Sequence, residues 1–198
     1  MNFPLLKILL LLLPVCLGFG CLNLEPQRDD SRYYSLVPSI KENSAVIVPV
    51  RVIGLQSVHM PDFLRQDRMC IRQNDESIKF LDSFLWAEMP VNAFSTLLSR
   101  GLSQSKTHSL CLPTPWPGTV DPTLFLSVQV TRWEGCANGT VALECAWQVR
   151  TAQSAEAPIS GTFIARDIRW QLGRYETLQH ALASAVEQLA ANIQSALK

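Results

Sequence analysis

Chemistry in this chain would have to come from six cysteines, three histidines and 17 carboxylate side chains, and spacing decides what each can do. Cys21 is the most telling. It closes the stretch Leu17-Gly18-Phe19-Gly20-Cys21 at the end of an apolar run, the pattern read by bacterial lipoprotein maturation. In that chemistry the thiol becomes a diacylglyceryl thioether and the chain is cut just before it. Gly20 suits the cut because signal peptidases need a small side chain there. Gly18 stands where a branched apolar residue is usual, with Leu17 one step further back. The alternative is an ordinary thiol after a plain signal peptide or an uncleaved membrane anchor.

Cys16 lies inside the apolar run and would leave with it. Cys70, Cys111, Cys136 and Cys145 lack the close CxxC pairs of a structural zinc site. Two disulfides in any of three connectivities and four buried free thiols are both open readings. His59, His108 and His180 are isolated, with no HxxxH or HExxH to put two imidazoles on one helical face. His180 falls between apolar positions of a helix and is read as solvated. No GxSxG elbow surrounds any serine and no phosphate-binding loop is spelled out. The expectation is a non-catalytic protein with no cofactor, no metal site and no catalytic residue, although scattered carboxylates can always meet in space.

Residues 1–20 carry one charge, Lys7, around a leucine-rich core interrupted by Pro4 and Pro14. A membrane-spanning helix needs about 20 apolar residues, so a lipoprotein-type signal peptide is the better reading. Removing it leaves 16 basic against 17 acidic residues, a balance that points to no nucleic-acid partner. About 177 residues then follow Cys21, enough for one core of ordinary size. Residues 21–31 read as a lipidated terminus and polar tether, and residues 32–198 as the folded domain.

The elements follow from periodicity. Tyr33-Tyr34-Ser35-Leu36-Val37 is a short aromatic and β-branched strand ended by Pro38, and residues 44–53 form a nearly continuous apolar strand. Residues 58–65 read as a loop with a turn of helix. Residues 68–72 and 77–81 alternate around a polar turn as a hairpin. Pro90 opens a helix with Val91, Phe94, Leu97, Leu98 and Leu102 on one face. Residues 111–122, with four prolines, read as a loop. Residues 124–133 and 141–149 alternate about Asn138-Gly139, a strong hairpin signal because both turn residues then take positive φ. A two-residue loop there sets Cys136 opposite Val141 and Arg132 opposite Cys145. The two cysteines would be about 13 Å apart along the ladder, beyond the reach of a disulfide. Residues 159–170 read as another strand with Thr162, Ile164, Arg166, Ile168 and Trp170 on one face. Residues 174–197 make a long amphipathic helix whose stripe includes Leu182 and Leu189, both expected in the core. The fold class is α/β of the α+β-like kind, a single domain with a mixed sheet packed by two amphipathic helices.

What remains is apolar. His59-Met60-Pro61-Asp62-Phe63-Leu64 and Leu85-Trp86-Ala87-Glu88-Met89-Pro90 set large hydrophobes beside proline in expected loops. Loops run over the surface, so Met60, Pro61, Phe63 and Leu64 are the candidate partner-binding residues, with Asp62 and Arg65 at the rim. The competing reading is that Trp86 and Phe63 fill the core beneath those loops, and for Trp86 it is the stronger one.

The order of these segments resembles the auxiliary lipoproteins of ABC-type transport systems, the PqiC/YmbA family. It runs from Tyr33-Tyr34-Ser35-Leu36 through Met60-Pro61-Asp62-Phe63-Leu64 and Trp86-Ala87-Glu88-Met89-Pro90 to the Asn138-Gly139 hairpin with Trp147 and the Ala/Leu-rich terminal helix. The chain departs from the family pattern at Gly18, at Leu85 where a basic residue is frequent, and in its four cysteines. The resemblance implies a mixed α/β domain tethered to the periplasmic face of the outer membrane. It also implies no enzymatic activity. The implied partners are an MCE-type periplasmic protein and an inner-membrane ABC permease complex that move lipids or other hydrophobic compounds. The state of oligomerisation, homo-oligomer included, stays open. A lipoprotein that binds an envelope-assembly or wall-synthase enzyme is the second reading, and an exported hydrolase the third.

Cys21→Ala tests the anchor. The variant is expected in the soluble periplasmic fraction, or uncleaved in the inner membrane. Continued fractionation with the outer membrane would refute lipidation at this residue.

Overall fold

The computed structural model describes residues 30–36, 49, 51–103, 109–152 and 157–197. Cys21, the signal segment, the tether up to residue 29, Val37, His108 and most of the apolar run 44–53 lie outside them. Among the described residues eight strands form one sheet: β1 Arg32–Tyr34, β2 Arg51–His59, β3 Arg68–Arg72, β4 Ile78–Trp86, β5 Ser109–Pro113, β6 Leu124–Cys136, β7 Val141–Thr151 and β8 Ile159–Ile164. Among the described residues two helices, α1 Pro90–Ser103 and α2 Tyr175–Ala196, complete the core. The strand order is β1-β4-β3-β6-β2-β5, with β7 pairing β6 and β8 pairing β7.

The longest strand, β6, organises this topology. Its one edge carries β7 antiparallel along its whole length. Its other edge is shared: β2 runs parallel to residues 124–129 and β3 parallel to residues 135–136. Consecutive strands therefore lie end to end beside one neighbour, and the 3-10 turn Asp62–Arg65 between them rests against β6 and α1.

Inward residues alternate until a bulge between Val130 and Arg132 shifts the phase. Leu126, Val128 and Val130 are buried before it, Trp133 and Gly135 after it. α1 packs on β5 and β2, α2 on β7 and β6, and the helices pack on each other, so both cover one face. The α2 stripe is as the periodicity predicts: Leu178, Leu182, Val186, Leu189 and Ile193 are buried. Each such side chain adds about 1.5–3 kcal/mol of hydrophobic stabilisation. The last turn of α2 holds no basic residue of its own. Arg51 of β2 donates from Nη1 to the Leu197 carbonyl at 2.8 Å, placing a cation at the negative end of the helix dipole.

Four sequence expectations change. β2 continues to His59 because it pairs β6 beyond Ile53. Residues 109–113 of the proline-rich region form a strand, since β2 has a free edge there and Thr114 N–H bonds the Leu55 carbonyl at 3.0 Å. β8 ends at Ile164. Asp167 takes φ 59° and breaks the alternation, so exposed Ile164 and buried Ile168 and Trp170 do not share a face. The 136–140 hairpin has three loop residues, not two. Gly139 N–H bonds the Cys136 carbonyl and Cys136 N–H the Thr140 carbonyl, and of the loop residues Gly139 alone has positive φ. Its Asn138 side chain instead accepts from Thr140 N–H and hydroxyl. With the bulge, Cys145 lies opposite Val130 and Gly135 opposite Val141. Cys136 and Cys145 are then about six residues, roughly 20 Å, apart along the ladder. Cys70, Cys111, Cys136 and Cys145 are all free thiols.

Gly101 of α1 faces Ala190 of α2. A Cβ placed there would lie 2.7 Å from the Ala190 Cβ, and neither group can rotate away. Alanine favours helix over glycine by about 1 kcal/mol, whereas overpacking costs about 1–3 kcal/mol. Gly101→Ala should therefore lower the urea midpoint, and adding Ala190→Gly should give a favourable coupling above about 0.5 kcal/mol in a double-mutant cycle. A stabilised single variant would show that the helices are further apart.

Candidate functional site

The four residues singled out as surface anchors do not sit together at the surface. Met60 and Leu64 are 8% and 5% exposed, and Phe63 packs half-buried against the same core. Pro61 is half-buried, and its carbonyl accepts from Leu64 N–H at 3.0 Å. The expectation of an exposed apolar loop fails here for a topological reason. The segment joins two strands lined up on one edge of β6, so it lies within the layer of the sheet and turns its large side chains inward. Asp62, Arg65, Gln66 and Asp67 stay in solvent, the first two paired at 3.3 Å. Trp86 is also core: its ring stacks on Trp133 at 6.0 Å, and Phe94 meets Trp133 edge-on at 5.1 Å. Met89, just beyond, is 45% exposed.

The face of the sheet turned away from α1 and α2 carries the polar chemistry. Ser57 and His59 of β2, Ser127 and Gln129 of β6, Gln148 of β7 and Thr162 of β8 line a shallow groove on it. Near the end of β6 the bulge turns Glu134 onto this face, yet its side chain is wholly buried. Its Oε1 accepts from Arg72 Nε at 2.7 Å and Arg132 Nε at 2.9 Å, and its Oε2 from Trp133 N–H at 3.2 Å. Arg132 reaches on to Glu144 at 3.0 Å, and Arg72 to the Glu76 carbonyl at 3.2 Å. Every lone pair that matters on Glu134 is occupied by a charged or backbone donor, the condition for a buried carboxylate to be tolerated. The arrangement holds strands in register and presents no carboxylate to a substrate. Sequence reasoning missed it. The available signal was Arg132 and Glu134 at a two-residue step, one face of a strand.

The thiols are equally engaged in packing. Burial pushes Cys70 up to about 12, with the Glu134 carboxylate adding to the effect and Arg72 opposing it. Burial likewise raises Cys145 to about 12, and Cys111 to about 11 against a contact with the Ser99 hydroxyl. At neutral pH these three are thiols, and thiolate is the nucleophilic form. His59 and His180 are exposed on separate elements. No group of three metal-binding side chains gathers among the described residues. No described helix is long and apolar enough to cross a membrane.

The burial of Leu64 carries a test. Truncating a buried leucine costs about 2–5 kcal/mol, so Phe63→Ser with Leu64→Ser should lower the denaturant midpoint sharply in an equilibrium melt. An unchanged midpoint would return these side chains to the surface.

No curated protein matches the chain. Among solved structures it is similar to an uncharacterized protein, at 21% identity and TM-score 0.69 over 85% of this chain and 99% of the other. It is also similar to a Xanthomonas campestris protein of the DUF330 family, at 13% identity and TM-score 0.59 over 82% and 92% of the two chains. Identities this low speak for the fold alone. The sequence profile described as ABC-type transport auxiliary lipoprotein component matches residues 34–194, and the chain belongs to that family.

Proposed function

We propose that the protein is a lipid-anchored, non-catalytic docking subunit of an intermembrane transport system for lipids or other hydrophobic compounds. In this reading residues 1–20 direct export, Cys21 carries the lipid, and the domain stands on the periplasmic face of the outer membrane. Its partners are an MCE-type periplasmic protein and an inner-membrane ABC permease complex. The family match over residues 34–194 carries the proposal. Two features of the domain support a binding rather than a reacting role. Its buried carboxylate, Glu134, is consumed by structural contacts. Its large exposed hydrophobes, Tyr33, Met89, Ile159, Ile164 and Leu172, lie on the outside of a finished core. Exposed side chains of this kind mark binding surfaces when they cluster at an unpaired element.

Crosslinking in intact envelopes followed by purification of the full chain tests the assignment. The expected result is recovery of an MCE-domain protein and its permease with the wild-type chain. Reproducible capture of a wall synthase or a barrel-assembly protein in their place would overturn it in favour of an assembly role.

A further inference from the structure

Edges of a β-sheet are normally blunted, because their unpaired N–H and C=O groups recruit other strands. In this sheet the helices do much of that work with single polar side chains. On β5, Cys111 N–H donates to the Ser103 hydroxyl of α1 at 2.9 Å. Beyond β1, the Gln179 side-chain amide of α2 donates to the Ser35 carbonyl. Beside β8, Gln188 of α2 makes a matched pair of bonds: Arg166 N–H donates to its Oε1 at 3.3 Å, and its Nε2 donates to the Arg166 carbonyl at 3.2 Å. Those are the two bonds a residue of a neighbouring strand would make.

That pairing stops at Arg166. Ala165 N–H bonds the Leu143 carbonyl of β7 at 2.9 Å, so residues 161, 163 and 165 face β7. By strand alternation Ser160, Thr162 and Ile164 send their N–H and C=O groups to the open side. Among the described residues nothing pairs with them. The strand Ile-Ser-Gly-Thr-Phe-Ile has no charge and no proline within it, the devices that usually protect an edge. Its two ends are apolar and open, with Ile159 47% and Ile164 62% exposed. A groove runs between it and α2, lined by Phe163, Ile164, Arg166, Gln188, Ala191 and Asn192. Ala191 leaves the helix wall low, Phe163 supplies an apolar floor, and Arg166 puts one cation at the end.

We propose that the open edge of β8 receives an extended peptide segment of a partner protein as a ninth strand along residues 160–164. Main-chain bonds to Ser160, Thr162 and Ile164 would continue the rung that the Gln188 amide already makes at Arg166. The segment has apolar side chains at alternate positions, which enter the groove beside Phe163 and Ala191, and a carboxylate at the end near Arg166. This is strand addition, in which backbone bonds supply affinity and alternate side chains supply selectivity. It rests on the docking reading for its purpose and on the geometry of β8 for its form.

The probe is a short capped peptide alternating Thr with Val or Ile and ending in Glu, titrated against the full chain in detergent micelles. Amide exchange followed by NMR should show new protection at Ser160, Thr162 and Ile164. N-methylation of every second peptide residue should abolish binding in one phase and spare it in the other, because only one phase faces β8. Thr162→Pro deletes an outward N–H without touching the ladder to β7. It should weaken binding roughly tenfold or more, from a lost hydrogen bond and a blocked edge. Ile164→Lys, a substitution of an exposed side chain, should weaken it in the same direction with an unchanged melt. Binding indifferent to both N-methylation phases overturns strand addition even where Thr162→Pro fails to fold. Protection that appears without peptide and grows with protein concentration overturns the peptide assignment in favour of a second copy. Peptide binding is read on this chain alone, so its failure is distinct from a failure to capture transport subunits.

Discussion

Everything in this fold depends on one strand having both edges filled. β6 pairs β7 on one side over its whole length, and on the other it pairs β2 and then β3. Take β6 away and the sheet separates into β7–β8, β2–β5 and β1–β4–β3, two of them mere strand pairs of the kind that is marginal alone. Its inward residues before the bulge, Leu126, Val128 and Val130, are almost completely buried beneath the helices. The two helices need this strand as well. Leu178 of α2 comes against Gly135, where a Cβ would stand only 2.9 Å from it, and the Trp133 indole donates to the Leu182 carbonyl at 3.3 Å. The sheet is thus tied to α2 at the point where the strand is most crowded.

The elements with an unbroken period were legible in the sequence. The α2 stripe, the face of α1 and the alternation of β7 all appear where simple counting puts them. What counting did not show were the places where one residue breaks the period. The bulge before Arg132 changes which residues face inward, and a left-handed Asp167 ends the run of β8. Neither residue type demands its conformation. β5 was hidden for a different reason. A segment that ends in Pro113 and runs on into Pro115 and Pro117 has weak strand character, and it becomes a strand because β2 offers it an edge.

The candidate site was less legible than the fold, and Met60 and Leu64 show why. A proline beside large apolar residues does mark a break in regular structure, and there is one, the 3-10 turn. Whether a break lies at the surface depends on where the flanking strands go. Here they go to the same edge of the same neighbour, so the break stays in the layer and its hydrophobes are core. No local pattern carries that information, since it is set by the pairing of residues about 70 positions away. The open edge of β8 is invisible for a related reason. Its strand composition is ordinary, and only the positions of β7 and of Gln188 reveal which of its groups lack a partner.

Glu134 then has a structural logic that follows from the sharing of one edge. β3 joins β6 by just two residue pairs, Ile71 with Gly135 and Arg72 with Cys136, while the outer strands β4 and β1 hang from β3. Two rungs are a slender connection for so much of the sheet. The bulge in β6 turns Glu134 to the face where Arg72 of β3 and Arg132 of β6 both reach it, at 2.7 Å and 2.9 Å. A buried ion pair gains little net energy over a well-packed apolar pair, because both charges lose water. What it does supply is registry. A slip of β3 by one residue would turn Arg72 to the other face and leave a buried carboxylate without one of its two cationic donors, at a cost of several kcal/mol. The carboxylate holds the two halves of the sheet in one alignment, and that alignment also sets where Met60, Leu64 and the turn between β2 and β3 must lie.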